Sequence, residues 1–212
     1  MLNVQRWGAT TRARHLVVLC HGSSSSAAEM GMLAEAWAAQ LPEVAFMAPD
    51  GPQPFEQGAP GFQWFSLWDR TPAVLERGAA AAAPLLNAAV DAECARLGIA
   101  PDQVALGGFS QGAMMALHAG LRRRPPPACI LAYSGALLDT PELAAEISGR
   151  PPVLLVHGER DEVVPFARGR DSAAALQRLG IPVQTCWRPG LEHAVDAMGL
   201  GAGLMLLRQS LS

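Results

Sequence analysis

Lysine is absent from this 212-residue chain, and all 16 of its basic residues are arginine. With 19 acidic residues the formal net charge is −3. That balance excludes the broad basic surface that displaces counterions from a nucleic acid, so no nucleic-acid partner is expected. The one basic run, Arg122 to Arg124, is followed by three prolines and reads as a solvated helix end. No apolar stretch approaches the ~18 residues of a membrane span; the longest of note runs from Ala197 to Leu207. Residues Met1 to Thr10 lack an apolar segment followed by a small-residue cleavage site, so no secretory signal is expected. Cysteine is scarce as well. Cys20, Cys94, Cys129 and Cys186 are widely spaced with no Cys-x-x-Cys pair, and three of them sit in apolar, strand-like runs. Buried free thiols, no metal site, no disulfide framework and a cytoplasmic location are the expectations.

What is present is apolar: 50% of residues are hydrophobic and 17% charged. A chain of this size buries roughly 70% of its unfolded surface, enough for one sizeable core. Short β-rich runs recur at His15–Cys20, Val44–Ala48, Val104–Gly108, Ala128–Tyr133, Val153–His157 and Val183–Trp187. Several are almost continuously apolar, as strands covered on both faces must be. Helical patterns lie between them at Ala27–Gln40, Ala79–Leu97, Gln111–Leu121, Phe166–Leu179 and Ala194–Leu207. Pro84 is expected to bend or restart the second. Gly98, Gly149 and Gly180 follow helix ends, where left-handed caps are expected. Pro49 to Pro72 reads as one long loop of the kind that carries function. No linker divides the chain, so the expectation is a single α/β domain over residues 1–212, mainly a parallel sheet with helices on both faces.

Gly108-Phe109-Ser110-Gln111-Gly112 fits G-x-S-x-G, the turn that exposes a nucleophilic serine between a strand and a helix. Chance supplies that pattern in roughly a tenth of chains with this much Gly and Ser, so the context decides. Here an apolar strand, Val104 to Gly107, precedes it and an apolar helix, Ala113 to Leu117, follows. A serine so placed lies at the positive end of a helix, where developing negative charge is favoured. It still needs a base, and the base needs a carboxylate to orient it. Five histidines are available. His15 begins a strand, His118 lies inside the helix after the serine, and His21 and His157 end strands before glycines, as loop-holding residues do. His193 remains, in a loop after the last strand and at the same sheet edge as Ser110. Asp161 lies four residues beyond His157, with Glu159 and Glu162 as competitors and helix capping as its alternative role. The order Ser110, Asp161, His193 is the Ser, acid, His order expected of this architecture.

An acyl-transfer site also needs two backbone N–H groups for the oxyanion. Gln111, directly after the nucleophile, supplies one. Ser23, in the serine run after His21-Gly22, is the choice for the other. Trp64, Phe65 and Leu67, with Trp68, are expected to line the acyl site, or else to cover the sheet. An exposed apolar edge at Trp64 to Trp68 could equally be a homodimer contact or a partner site.

At this point the chain resembles the phospholipase/carboxylesterase family of α/β-hydrolases, which includes acyl-protein thioesterases and small bacterial carboxylesterases. The matching pieces are Leu19-Cys20-His21-Gly22, Ala48-Pro49-Asp50-Gly51-Pro52, Gln63-Trp64-Phe65, Gly107 to Gly112, Ser134-Gly135, His157 to Asp161 with Val164-Pro165, and Gly190 to His193. The resemblance implies Ser110, Asp161 and His193 as a catalytic triad and the Ser23 and Gln111 amides as oxyanion donors. Two departures stand out. Four serines follow His21-Gly22 where the family has an apolar residue and then glycine, and Ser66-Leu67-Trp68 precedes the expected aspartate.

The expected function is hydrolysis of carboxylic esters or thioesters of apolar acyl groups through an acyl-enzyme, with no metal or organic cofactor. Thioesterase or lysophospholipase action on the same fold is the near alternative, and a non-catalytic binding protein the distant one. A dienelactone-type hydrolase would carry Cys at position 110. The short segment between Ser134 and Pro152 implies a minimal cap and an accessible site, favouring soluble esters over emulsified triglyceride.

Overall fold

The computed structural model describes residues 2–211. In chain order they form β1 (Val4–Gly8), β2 (His15–Cys20), a 3-10 turn (Ala27–Met30), α1 (Gly31–Ala38), β3 (Val44–Pro49), β4 (Gln53–Pro54) and β5 (Phe62–Gln63). Then follow α2 (Pro72–Leu97), β6 (Val104–Phe109), α3 (Gln111–Arg122), β7 (Cys129–Tyr133) and α4 (Leu143–Glu146). The last elements are β8 (Val153–Gly158), α5 (Phe166–Arg178), β9 (Val183–Arg188) and α6 (Ala197–Ser210).

Seven strands form one sheet in the order β1-β3-β2-β6-β7-β8-β9, parallel except for β1, which runs antiparallel to β3. β2 shows why its run is apolar throughout. Leu16 and Val18 pack into the core under α2, α3 and α5, while Val17 and Leu19 pack into the core under α1 and α6. Strand residues alternate faces, and here both faces are covered.

Several elements differ from the sequence expectation, each for a physical reason. β1 is an edge strand of mixed polarity and so carries no apolar run to mark it in the sequence. The long loop contains a two-stranded ribbon, β4–β5, too short to leave a periodic signal. α2 starts at Pro72 and passes through Pro84 without a break. Pro84 and Ala80, whose carbonyl loses its partner there, are both exposed, so the freed carbonyl is open to solvent and the helix continues. The last helix begins later than its apolar pattern because the Asp196 side chain caps it, accepting from the Gly199 N–H at 2.8 Å. Gly98 and Gly180 take the left-handed conformation. Gly149 does not, and a Cβ there would meet the Pro126 ring at 2.7 Å.

All four cysteines are free thiols. Among the described residues no helix is long and apolar enough to cross a membrane, and no three His, Cys, Asp or Glu side chains cluster as metal ligands would.

His118 of α3 is buried, and its Nδ1 has no hydrogen-bond partner; Glu76 comes only to 3.9 Å. Burial, aided by the nearby Arg122 charge, pushes the imidazole down from 6.5 to about 4. The folded chain therefore holds this ring neutral where the unfolded chain protonates it. Its contribution is complete above pH 6.5 and is lost progressively as pH falls to about 4, amounting to about 3 kcal/mol. Urea midpoints of the wild type and His118→Leu at pH 7.5 and 4.5 check this. The variant is expected to lose clearly less stability on acidification, and an equal loss would refute the assignment.

Candidate active site

β6 runs directly into α3, and the turn between them places Ser110 at φ 55°, ψ −118°. A non-glycine residue rarely adopts a positive φ, and such strain persists only where the surroundings enforce it. Here they do. The Ser110 N–H donates to the Tyr133 carbonyl at 2.8 Å, and its carbonyl accepts from Ala113 and Met114 at 3.0 and 3.2 Å. Gly112 packs against the Cys20 and His21 carbonyls so closely that a Cβ would lie 2.6 Å from the latter. Gly108 packs onto Gly112 in the same way. The two glycines of the motif thus exist because the α3 N-terminus presses on the ends of β2 and β6.

The acid and the imidazole come from the loops after β8 and β9. Asp161 is buried. Its Oδ1 accepts from the Val163 and Val164 N–H groups at 3.0 and 2.8 Å, which leaves Oδ2 to accept from His193 Nδ1 at 2.7 Å. The two loops are bonded to each other, Glu159 N to the Arg188 carbonyl at 3.0 Å and Arg160 N to the Leu191 carbonyl at 2.9 Å. Gly158 lets them meet, because a Cβ there would strike the Leu191 and Glu192 carbonyls. The His193 ring also packs on Phe109, the residue before Ser110, at a centroid distance of 4.7 Å. Ser110 and His193 line one cavity of about 630 Å³. Among the described residues no hydrogen bond joins them; bonds between a nucleophile and its base commonly tighten on substrate binding.

Ser23 lines the same cavity. The two amides that follow it are occupied, Ser24 N by the Phe62 carbonyl at 3.0 Å and Ser25 N by the Gly22 carbonyl at 3.3 Å. The Ser23 N–H donates to no protein group among the described residues, and neither does that of Gln111, which sits in the unpaired first turn of α3. Gly22 brings this loop to Ser110; a Cβ on it would lie 3.4 Å from the serine Cβ.

Two of the other histidines, His21 and His157, are held by main chain. His21 Nδ1 lies 2.6 Å from the Gly22 carbonyl and its Nε2 accepts from Gly51 N at 2.8 Å. Burial lowers the His21 pKa. His157 Nε2 lies 2.8 Å from the Val164 carbonyl and 3.4 Å from Asp161 Oδ2, beneath the acid loop.

Of the two roles expected of the aromatic segment, lining the site or covering the sheet, Trp64 and Phe65 take the second. Trp64 and Phe65 are 1% and 2% exposed and absent from the cavity wall, whereas Leu67 lines it. The cause is the Gln111 side chain. Its Oε1 accepts from Trp64 N at 2.9 Å and its Nε2 donates to the Phe65 carbonyl at 2.7 Å, so it pairs with the segment as a neighbouring strand would. Trp64 Nε1 then donates to the His21 carbonyl at 3.0 Å, and Phe65 packs on Gly78 of α2. Of the supposed apolar edge, Trp68 alone is widely exposed, at 72%. Met30, Met32, Leu33, Phe55 and Val163 supply the apolar wall instead, with Glu29 and Arg70 as its charged members. Nothing in their local sequence separates them from ordinary core or surface positions, except that Val163 follows Asp161 closely.

A parallel sheet whose central strand leads through a strained serine into a helix, with an Asp–His pair on the following loops, defines an α/β-hydrolase. The phospholipase/carboxylesterase family model matches residues 8–208, and the chain belongs to that family, as a hydrolase enzyme. The crystal structure of esterase PE8 superimposes with a TM-score of 0.92 at 36% identity, covering 99% of each chain. Esterase YpfH of Escherichia coli is 28% identical over 200 residues, 94% of this chain and 84% of that protein. An acyl-protein thioesterase 1 of Gibberella zeae is 37% identical over 119 residues, 54% of this chain, and the match spans 51% of that relative.

Proposed function

We propose that this enzyme hydrolyses carboxylic esters, or thioesters, of apolar acyl groups through a covalent acyl-enzyme on Ser110. The observation that carries the reading is the 2.7 Å bond between Asp161 Oδ2 and His193 Nδ1 at the wall of the cavity that Ser110 enters. With Nδ1–H committed to the buried carboxylate, Nε2 is the free basic nitrogen. Ser110 Oγ attacks the carbonyl carbon as Nε2 takes its proton, and Asp161 stabilises the imidazolium. The oxyanion rests on the Ser23 and Gln111 N–H groups, each worth about 3 kcal/mol in comparable sites. Collapse of the tetrahedral species returns the proton to the departing alcohol or thiol. Water, activated by the same His193, then attacks the acyl-enzyme and releases the carboxylic acid.

The apolar wall of Met30, Leu33, Leu67 and Val163 supports an apolar acyl chain. The four unpaired thiols fit a reducing compartment such as the cytoplasm. Initial rates on 4-nitrophenyl esters from acetate to laurate test the proposal. Turnover with an optimum at one chain length is the expected result. A folded protein inert toward every ester, and toward a thioester control, would instead be a binding protein on a hydrolase fold.

A further inference from the structure

A second cavity, of about 570 Å³, lies between β1, the end of β3 and the outer face of α2, and it shares no lining residue with the cavity at Ser110. This volume is in the range of small-molecule sites. Val4, Met47, Leu85, Ala89 and Ala92 form its apolar wall, and Leu85 is 48% exposed. The outer face of α2 carries Ala88, Ala92 and Arg96 at successive i, i+4 positions, so small side chains leave a trough that runs toward a cation.

Charge at that end of the trough is unbalanced. The Glu93 carboxylate is 4% exposed and accepts from two guanidinium groups at once. Arg6 reaches it with Nε at 3.0 Å and Nη2 at 2.9 Å, and Arg96 with Nε at 3.1 Å and Nη2 at 2.6 Å. Burial alone would raise the Glu93 pKa, but the bonds from Arg96 and Arg6 outweigh it and keep the group ionised. Two positive charges over one negative leave a net charge of +1. Both guanidinium groups are about two-fifths exposed, and neither Nη1 has a protein acceptor among the described residues. Because Glu93 locks both side chains, their outward N–H groups are already oriented, as bidentate recognition of a carboxylate requires.

We propose that this trough binds a long-chain carboxylate, with its head group on Arg6 and Arg96 and its chain along the apolar wall. A monoanion matches the net charge of +1. A cationic amphiphile would meet both guanidinium groups, and a neutral one would leave them unsatisfied. The site stands independently of the chemistry at Ser110, although its ligand belongs to the chemical class that the proposed hydrolysis releases.

Calorimetric titration of the purified chain with laurate, dodecanol and dodecyltrimethylammonium, below their aggregation concentrations, tests this. One laurate per chain is expected, bound at least tenfold more tightly than the other two. Arg96→Gln, which leaves Glu93 paired with Arg6, is expected to weaken laurate at least tenfold, and Ala92→Trp to abolish binding. Ester turnover should be unchanged in both; the melting temperature should hold in Ala92→Trp and fall somewhat in Arg96→Gln, which takes two hydrogen bonds from the buried Glu93 carboxylate. Leu85→Asp, at an exposed position that tolerates charge, provides the same loss without risk to the fold. Equal binding of the three amphiphiles, or laurate binding undiminished in the variants, would overturn the proposal.

Discussion

Ser110→Ala is expected to lower kcat/KM on 4-nitrophenyl butyrate by roughly 10⁴- to 10⁶-fold, the range seen when the nucleophile of a comparable serine hydrolase is removed. The fold should survive. Alanine meets the same backbone strain at φ 55° as serine does, and the bonds that hold the turn run through main-chain atoms of residue 110 to Tyr133, Ala113 and Met114. The melting temperature should therefore change little, and Ser110→Gly should raise it, since glycine adopts a positive φ without cost. A variant that folds normally and keeps more than a hundredth of the turnover would place the nucleophile elsewhere.

Asp161→Asn is expected to cost roughly 10⁴-fold in kcat with little loss of stability, and the hydrogen bonds around the carboxylate say why. Oδ1 accepts from two backbone N–H groups, so the amide oxygen of asparagine must take that place; the reverse orientation would set NH₂ against both donors. The amide NH₂ then faces His193 at the position of Oδ2, where His193 Nδ1 can only accept. The ring proton moves to Nε2, which loses its capacity to deprotonate Ser110. KM should change little, because Asp161 does not line the cavity. Asp161→Ala adds a stability loss, since it orphans both N–H groups. Retained kcat in a folded Asp161→Asn enzyme would mean that His193 is not the base.

The strands and the glycine-flanked serine are legible in one dimension because each rests on local chemistry. Apolar runs such as His15–Cys20 mark strands covered on both faces, and the tight contacts of Gly108 and Gly112 leave a local spacing signature. The alternation of strands with helices also marks the sheet as mainly parallel, while the order β1-β3-β2-β6-β7-β8-β9 is seen only in the fold. The edge strand β1 escapes because half of it faces solvent and its pairing with β3 joins residues some 40 positions apart.

Burial of the aromatic segment is different in kind. Trp64-Phe65-Ser66-Leu67-Trp68 reads as one apolar patch, yet two of its residues are core, one lines the cavity and one is on the surface. That division depends on the Gln111 side chain, 47 and 46 positions away from the main-chain groups it bonds. A glutamine chosen for its backbone N–H gives no sign that its amide also satisfies a loop.

The amino-acid sequence by itself determined six of the seven strands of the main sheet and their alternation with helices, and it singled out Ser110, Asp161 and His193 as candidates, because these follow from periodicity, turn chemistry and chain order. Tertiary structure decided which apolar residues line the cavity at Ser110, and that Arg6 and Arg96 close on Glu93 from two elements. Those outcomes depend on desolvation and on hydrogen bonds between distant residues, and the free energy of burying a group is set by the neighbours that folding brings to it.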